Sequence, residues 1–313
     1  MIVAGVDVGG TSVKTGIVGE GHKVVSRTKQ PTPQEGPEAL IAAIRGQIAA
    51  LDERPSAVGV GIPGAVSGNR ILHVPNLPGW PGQGDFGEEL SKELGVPVAL
   101  GNDVSCGLLG EWLAGAARGA DNVLGVWWGT GVGGALVIDG RPFAGSRGAA
   151  GEIGHVLVRP GGALCGCGRR GCVEAYAGRR MMTRTARDMQ ASGRETALFE
   201  IQDAEDKDRP TSKVWEKALE AGDAIAAGIF REGIEAVGTG IGSVLNVLDL
   251  ERVVIGGGFG QRMGKNLARQ VAEVAVPRIM APNPALRFVA AKLGDDAGII
   301  GAGALARALV IEG

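Results

Sequence analysis

The chain lacks the marks of several whole classes of protein. Its 313 residues carry a formal net charge of −2 with Lys and Arg scattered throughout, so no electrostatic footprint for nucleic acid is readable. No apolar run reaches the roughly 18 residues that a membrane span needs. The stretch from Gly298 to Val310 is apolar but short, and Arg307 interrupts it. The opening MIVAGVDVGGT has no basic start, long apolar stretch or small-residue cleavage site, and reads as a strand entering a turn, not as a secretory signal. The 55 glycines follow no three-residue period, which excludes a collagen-like chain. Cysteine is scarce, at four, and its use described below suits a reducing compartment. A cytoplasmic protein of two globular domains, with an ordinary 44% of hydrophobic residues, is what these absences leave.

Three of the four cysteines fall within eighteen residues of one another and of a histidine: His155, Cys165, Cys167 and Cys172. One imidazole and three thiolates match a closed tetrahedral zinc site, which leaves no coordination position open for chemistry. The competing reading makes the cysteines small core residues and His155 an ordinary buried histidine. The glycine-rich surroundings, GGALCGCGRRGC, argue against a core segment. Glu152 and Glu174 flank the cluster, so the metal is expected to shape a binding loop while the chemistry lies elsewhere.

Strands are expected at residues 2–8, from Val13 to Val18, Ala57 to Ile62, Val96 to Leu100, Val123 to Trp128, Ala135 to Ile138, Val253 to Ile255 and Leu286 to Ala290. A helix opens at Pro37 with an apolar stripe of Leu40, Ile41, Ile44, Ile48 and Leu51. Another runs from about Val104 to Ala117. The chain is mainly helical from Ala175 to Leu248, with an exposed loop expected over Gln202 to Lys213. Further helices start near Gly260 and Asp296. Strand, glycine turn, strand occurs twice, at the start and near Gly129, which suggests two copies of one unit facing each other across a cleft.

Glycine turns follow Asp7, Trp128 and Ile255. Bare backbone N–H groups in such turns form concavities that bind anions, and larger side chains would block the approach. Gly129, Gly131 and Gly134 have the spacing of a dinucleotide fingerprint, but a strand follows where a helix is required. The turn at Gly256 lacks the Gly-Lys-Ser/Thr of a P-loop. Three such turns in one α/β chain point to a nucleotide.

Taken in order, DVGGTSVK (Asp7 to Lys14), GIPGAV (Gly61 to Val66), NDVSCGLLGE (Asn102 to Glu111), GTGVGGALVIDG, AGEIGH, CGCGRRGCVEAY and VIGGG resemble the ROK family of repressors, open reading frames and kinases. The resemblance spans Val3 to about Ala306. It implies the actin, hexokinase and heat-shock-protein-70 fold: two actin-like (ribonuclease-H-like) α/β domains flanking a cleft, with a structural zinc loop. Residues 1–117, joined by the C-terminal helix at 298–313, would form the small domain. Residues 118–297, with the zinc loop at 155–172, would form the large one.

The resemblance further implies an ATP-dependent hexose kinase, with glucokinase activity as the leading expectation. A kinase of N-acetylglucosamine, N-acetylmannosamine, mannose, allose or fructose is the alternative. Asp103 would be the general base. Gly64, Ala65, Asn76, Asn102, Glu152, His155 and Glu174 would hold sugar hydroxyls, each of which needs a directional partner when buried. Asp103 opens a helix, where aspartate is commonly an N-cap, and the helix N-terminus is expected to keep it ionised near neutral pH. Asp7 would act through Mg2+ and its waters. Gly9, Gly10, Thr11, Lys14, Thr130 and Gly131 would cradle phosphates, and Gly256, Gly257 and Gly258 the adenosine side; for Lys14, a solvated strand lysine is the equal alternative. ROK repressors carry a helix-turn-helix segment before the glycine hairpin; this chain starts at the hairpin, so a DNA-binding role is not expected. A homodimer or homotetramer is implied by family analogy alone.

Overall fold

The computed structural model describes residues 2–74, 79–80, 84–281 and 283–312. The chain opens on strands β1 (Val3–Val8), β2 (Ser12–Val18) and β3 (Val24–Pro31), then helix α1 (Pro37–Ala49), β4 (Ala57–Ile62) and the short hairpin of β5 (Ala65–Ser67) and β6 (Arg70–His73). Helix α2 (Phe86–Leu94), β7 (Val98–Asn102) and α3 (Asp103–Ala114) follow. Next come β8 (Val123–Trp128), β9 (Val132–Ile138), β10 (Arg141–Phe143), α4 (Val173–Ala177), α5 (Arg179–Ala191) and α6 (Leu198–Ala204). The remainder is α7 (Ser212–Glu220), α8 (Ala224–Leu248), β11 (Arg252–Gly256), α9 (Gly257–Ala275), β12 (Arg287–Ala290) and α10 (Asp296–Glu312).

Two five-stranded sheets repeat one topology, β3-β2-β1-β4-β7 and β10-β9-β8-β11-β12. In the first, β1 runs antiparallel to β2 and parallel to β4, and β4 is parallel to β7. In the second, β11 is parallel to both β8 and β12, and β10 is antiparallel to β9. This is an α/β architecture. The described chain divides into one compact unit of 1–121, 135–150 and 292–313 and another of 122–134 and 151–291.

In the first unit β4 is buried along its whole length, as a parallel strand covered on both faces must be. Leu40 and Ile44 of α1 and Phe86 and Leu90 of α2 fill one face of the sheet. On the other face α10 approaches closer than side chains permit. A Cβ on Gly5 would lie 1.9 Å from the Ile299 carbonyl oxygen, and one on Gly59 would lie 1.7 Å from that of Ala302. Glycine in the middle of these strands is what lets the helix backbone settle there. Helix α10 meets α3 in the same way, with Gly301 against the backbone of Cys106.

The second unit is anchored by Trp128, which is fully buried. Its indole stacks on Phe230 of α8 at 5.3 Å and meets Phe259 of α9 edge-on at 5.6 Å. Its Nε1 donates to the Ala177 carbonyl at 2.6 Å, so the buried polar tip is satisfied.

Several element boundaries differ from the sequence reading. The strand expected at Val96 to Leu100 is β7, two residues later, and the helix after it starts at Asp103 and stops at Ala114. The helix expected from Gly260 begins at Gly257, so Gly257 and Gly258 belong to its first turn while Gly256 ends β11 at the helix N-cap. The loop expected over Gln202 to Lys213 shrinks from both ends. Gln202 is buried in α6 and donates to the Lys207 carbonyl, while Thr211 caps α7 by accepting from Val214 N–H. Polar composition misled there because the polar groups are spent on helix ends.

Candidate functional site

In the first unit the junction of β7 and α3 places Asn102 and Asp103 together. Asn102, not Asp103, is the N-cap: its Oδ1 accepts from Ser105 N–H at 3.0 Å. Both amide hydrogens of Asn102 are engaged as well, one on the Gly64 carbonyl and one on Asp103 Oδ1, each at 3.0 Å. The Gly64–Ala65 turn, the cap and the carboxylate are thereby locked as one piece. Gly64 has φ of +115°, and a Cβ there would strike the His73 carbonyl oxygen at 2.0 Å.

The helix N-terminus does not keep Asp103 readily ionised. Burial pushes its carboxyl up to about 7, the charge of Asp7 adds to the rise, and hydrogen bonds from the backbone and from Asn102 only partly oppose it. The magnitudes explain the order: a helix terminus contributes about 1 kcal/mol, whereas burial raises carboxylates by as much as about 3–5 units.

Asp7, next to last in β1, forms an ion pair with Lys14 of β2 at 3.3 Å, and Lys14 also reaches Asp295 at 3.1 Å. Burial raises the Asp7 carboxyl above its ordinary range while Lys14 opposes it. Lys14 is thus neither a solvated strand lysine nor a free cation; its charge is divided between two acids. Gly9, Gly10 and Thr11 form the adjoining turn, tied by Gly9 N–H to the Ser12 carbonyl and by the Thr32 hydroxyl to the Gly9 carbonyl. Thr11 is exposed. Asp295 was not singled out in the sequence, nor was the group that holds its loop. Glu111 is fully buried and accepts from the N–H groups of Ala116, Lys292 and Leu293, each at 2.7 Å.

In the second unit the turn of Thr130 and Gly131 is held from α4. Glu174 Oε2 accepts from Val132 N–H at 2.9 Å, and a Cβ on Gly131 would lie 2.2 Å from that oxygen. A Cβ on Gly257 would strike the Trp128 backbone at 2.7 Å, and one on Gly258 the Ser212 hydroxyl at 2.6 Å. These glycines are small because protein packs against them; beside Gly10 nothing comes within 4 Å of a Cβ, and beside Gly129 only Gly258 N, at 3.6 Å. Arg179, also missed in the sequence, donates to the hydroxyls of Thr130 at 2.9 Å and Ser212 at 2.8 Å. Asn76 lies outside the described residues.

The four metal-ligand candidates converge. Their donor atoms all lie within 4.8 Å of one another, with Cys167 Sγ 3.8 Å from Cys172 Sγ and Cys165 Sγ 3.8 Å from His155 Nδ1. Tetrahedral zinc with bonds of about 2.3 Å to sulfur would set two thiolates about 3.8 Å apart, so the donor set fits that ion. Burial opposes ionisation of Cys167, but hydrogen bonds from the Arg169 backbone and side chain outweigh it and bring the thiol down to about 6. Burial pushes Cys165 up to about 12. With Nδ1 turned to the cluster, His155 directs Nε2 the other way, 4.0 Å from the exposed carboxylate of Glu152. Tyr176, the sole tyrosine, accepts from Ala163 N–H at 2.8 Å and braces the loop. Cys106 is buried against Gly61 and Gly101, its thiol pushed up by burial, which suits a packed residue and not a nucleophile.

A sequence model of the ROK family matches residues 3–309. The chain belongs to the ROK family. A glucokinase of Halalkalibacterium halodurans is 35% identical over 97% of this ROK chain and 94% of its own length. A glucokinase of Thermotoga maritima is 32% identical over 96% of each. Among solved structures, a ROK family glucokinase from Streptomyces griseus in complex with glucose and AMPPNP superposes with a TM-score of 0.83 at 31% identity, covering 98% of this chain and all of that one. No described helix of the ROK chain is long and apolar enough to cross a membrane.

Proposed function

We propose that the chain is an ATP-dependent glucokinase that converts D-glucose to glucose 6-phosphate. The observation that carries this reading is the locked Asn102–Asp103 pair, whose carboxyl is pushed up to about 7. A base with that affinity is half ionised near neutral pH and can both accept and release a proton there. Family membership and relatives named glucokinase support glucose as the acceptor.

Asp103 takes the proton from the sugar 6-hydroxyl. The hydroxyl oxygen forms a bond to the γ-phosphorus as the bond from that phosphorus to the β–γ bridging oxygen breaks, and the electron pair leaves with ADP. The proton then passes from Asp103 to solvent. Magnesium bound with the nucleotide would neutralise charge on the phosphate oxygens; Asp7 is the residue that would reach its waters, held in place by Lys14. Gly9, Gly10, Thr11, Thr130 and Gly131 cradle phosphates, and Gly256, Gly257 and Gly258 the adenosine side. Glu152, His155 Nε2, Asn102, the Gly64–Ala65 turn and the second oxygen of Glu174 take the sugar hydroxyls. His155, Cys165, Cys167 and Cys172 would hold zinc with no position left for substrate, so its part would be to fix the imidazole's orientation and the loop. Reduced thiols of this kind suit the cytoplasm, and a homodimer or homotetramer is the assembly proposed from family analogy.

A coupled ADP assay over a panel of glucose, mannose, fructose, allose and the N-acetylated amino sugars tests the reading. Glucose is expected to give the highest kcat/KM, with Asp103→Ala inactive. A preference for an amino sugar overturns the glucose assignment.

A further inference from the structure

Arg27, Arg45, Arg159 and Arg278 illustrate how this protein usually places its guanidinium groups, each against a carboxylate. Arg179 differs. It is half-buried, and among the described residues its guanidinium meets hydroxyls alone, those of Thr130 and Ser212. Burial lowers its proton affinity and the nearby charge of Arg209 lowers it further. A partly desolvated cation with neutral partners and a second cation beside it gains most from an anion.

Its position identifies the anion. Thr130 belongs to the turn after β8, and the Ser212 hydroxyl lies 2.6 Å from the Cβ position of Gly258 in the turn after β11. Arg179 Nη1 is itself 3.6 Å from that Cβ position, and a Cβ added to Gly129 of the first turn would lie 3.6 Å from Gly258 N of the second. The guanidinium therefore spans both glycine turns of the second unit. It is rigidly mounted: Arg179 N–H donates to the Gly129 carbonyl at 3.1 Å, and the buried Trp128 indole holds Ala177 two residues earlier. A planar fork of donors at two turns rich in backbone N–H groups suits phosphate oxygens.

Resting on the kinase reading, we propose that Arg179 binds the phosphate chain of the donor nucleotide. A purely structural clip between Thr130 and Ser212 would need its hydrogen bonds but not its charge, and the experiment separates the two. AMPPNP and adenosine are titrated calorimetrically into the full chain and into Arg179→Gln, Arg179→Met and Arg179→Lys. Arg179→Gln keeps a donor without the charge. It is expected to weaken AMPPNP at least about tenfold while adenosine stays within about twofold, with Arg179→Met the same and Arg179→Lys recovering much of the loss. Equal losses for both ligands, no loss, or rescue by Gln and not by Lys overturns the proposal, as does failure of both Gln and Met variants to fold by thermal melting. Wild-type protein that shows the AMPPNP effect but forms no ADP with any sugar removes the kinase reading and leaves the phosphate assignment standing.

Discussion

The turn after β1 and the turn after β8 share a plan, strand into glycines into strand, yet arm their units in opposite ways. The first carries acid: Asp7 at the strand end, Asp295 behind Lys14, and Asp103 close enough for the Asp7 charge to raise its carboxyl. The second carries hydroxyl and cation: Thr130 and Arg179, with Glu174 tied to the turn's backbone and Trp128 as an aromatic footing. A repeated scaffold thus fixes where backbone N–H groups are displayed, while one or two side chains at the strand ends decide what chemistry is on offer. The acid side suits proton removal; the other suits phosphate.

The comparison breaks most sharply at Asp103. Asp103→Ala is expected to lower kcat by about a thousandfold or more with glucose affinity within about fivefold, read by steady-state kinetics and calorimetry. Turnover within tenfold of wild type removes the base from the mechanism. Because the carboxylate must be ionised to act, kcat/KM should fall about tenfold per pH unit below about 7. The stability effect has the opposite sense. A carboxyl raised from 3.8 to about 7 favours the neutral form, so its contribution is complete below 3.8 and is lost as pH rises to about 7. Asp103→Asn should therefore gain stability over wild type at pH 8 relative to pH 5, by up to about 2 kcal/mol in urea unfolding.

Second in size is the support of the acid side. Glu111→Ala removes the buried carboxylate that accepts from the part-buried N–H groups of Ala116, Lys292 and Leu293 and should cost about 3 kcal/mol, measured by denaturant unfolding. A cost under about 1 kcal/mol would show that the loop before α10 is held by other means. Metal removal sharpens the contrast from the second unit: chelation should lower glucose affinity about tenfold and Tm by about 5 °C together, with nothing comparable expected from the acid side. Normal sugar affinity in chelated protein contradicts a loop-shaping metal. The smallest effect is expected at the exposed Arg159–Glu232 pair, where Glu232→Ala should change stability by less than about 0.5 kcal/mol.

What the sequence made legible follows from how local each signal is. Strand β4 could be read to the residue because an unbroken apolar run stops at Pro63, and the group of metal-ligand candidates because their spacing is short. Asp103 could be named, but not its ionisation, which depends on burial and on Asp7 at the far end of another strand. The cap could not be assigned between Asn102 and Asp103, since both residues cap well and only the backbone turn chooses. Arg179 hid beside Arg180 as one of two adjacent charges; the fold turns the first to Thr130 and leaves the second exposed. Gly178, which breaks α4 from α5 just before it, was the available hint. Glu111 and Asp295 gave less, because their partners lie in segments far along the chain.

The glycine-lined face of β1 and β4 has a consequence for biosynthesis. Those strands are made well before the helix that must lie on them, at residues 296–312. Until then a bare backbone trough stands open on the nascent chain, too shallow for ordinary side chains to fill. The unit that holds β1 and β4 is therefore completed only once α10 has been made, and its unfinished surface needs shielding by chaperones while the whole of the second unit is synthesised in between.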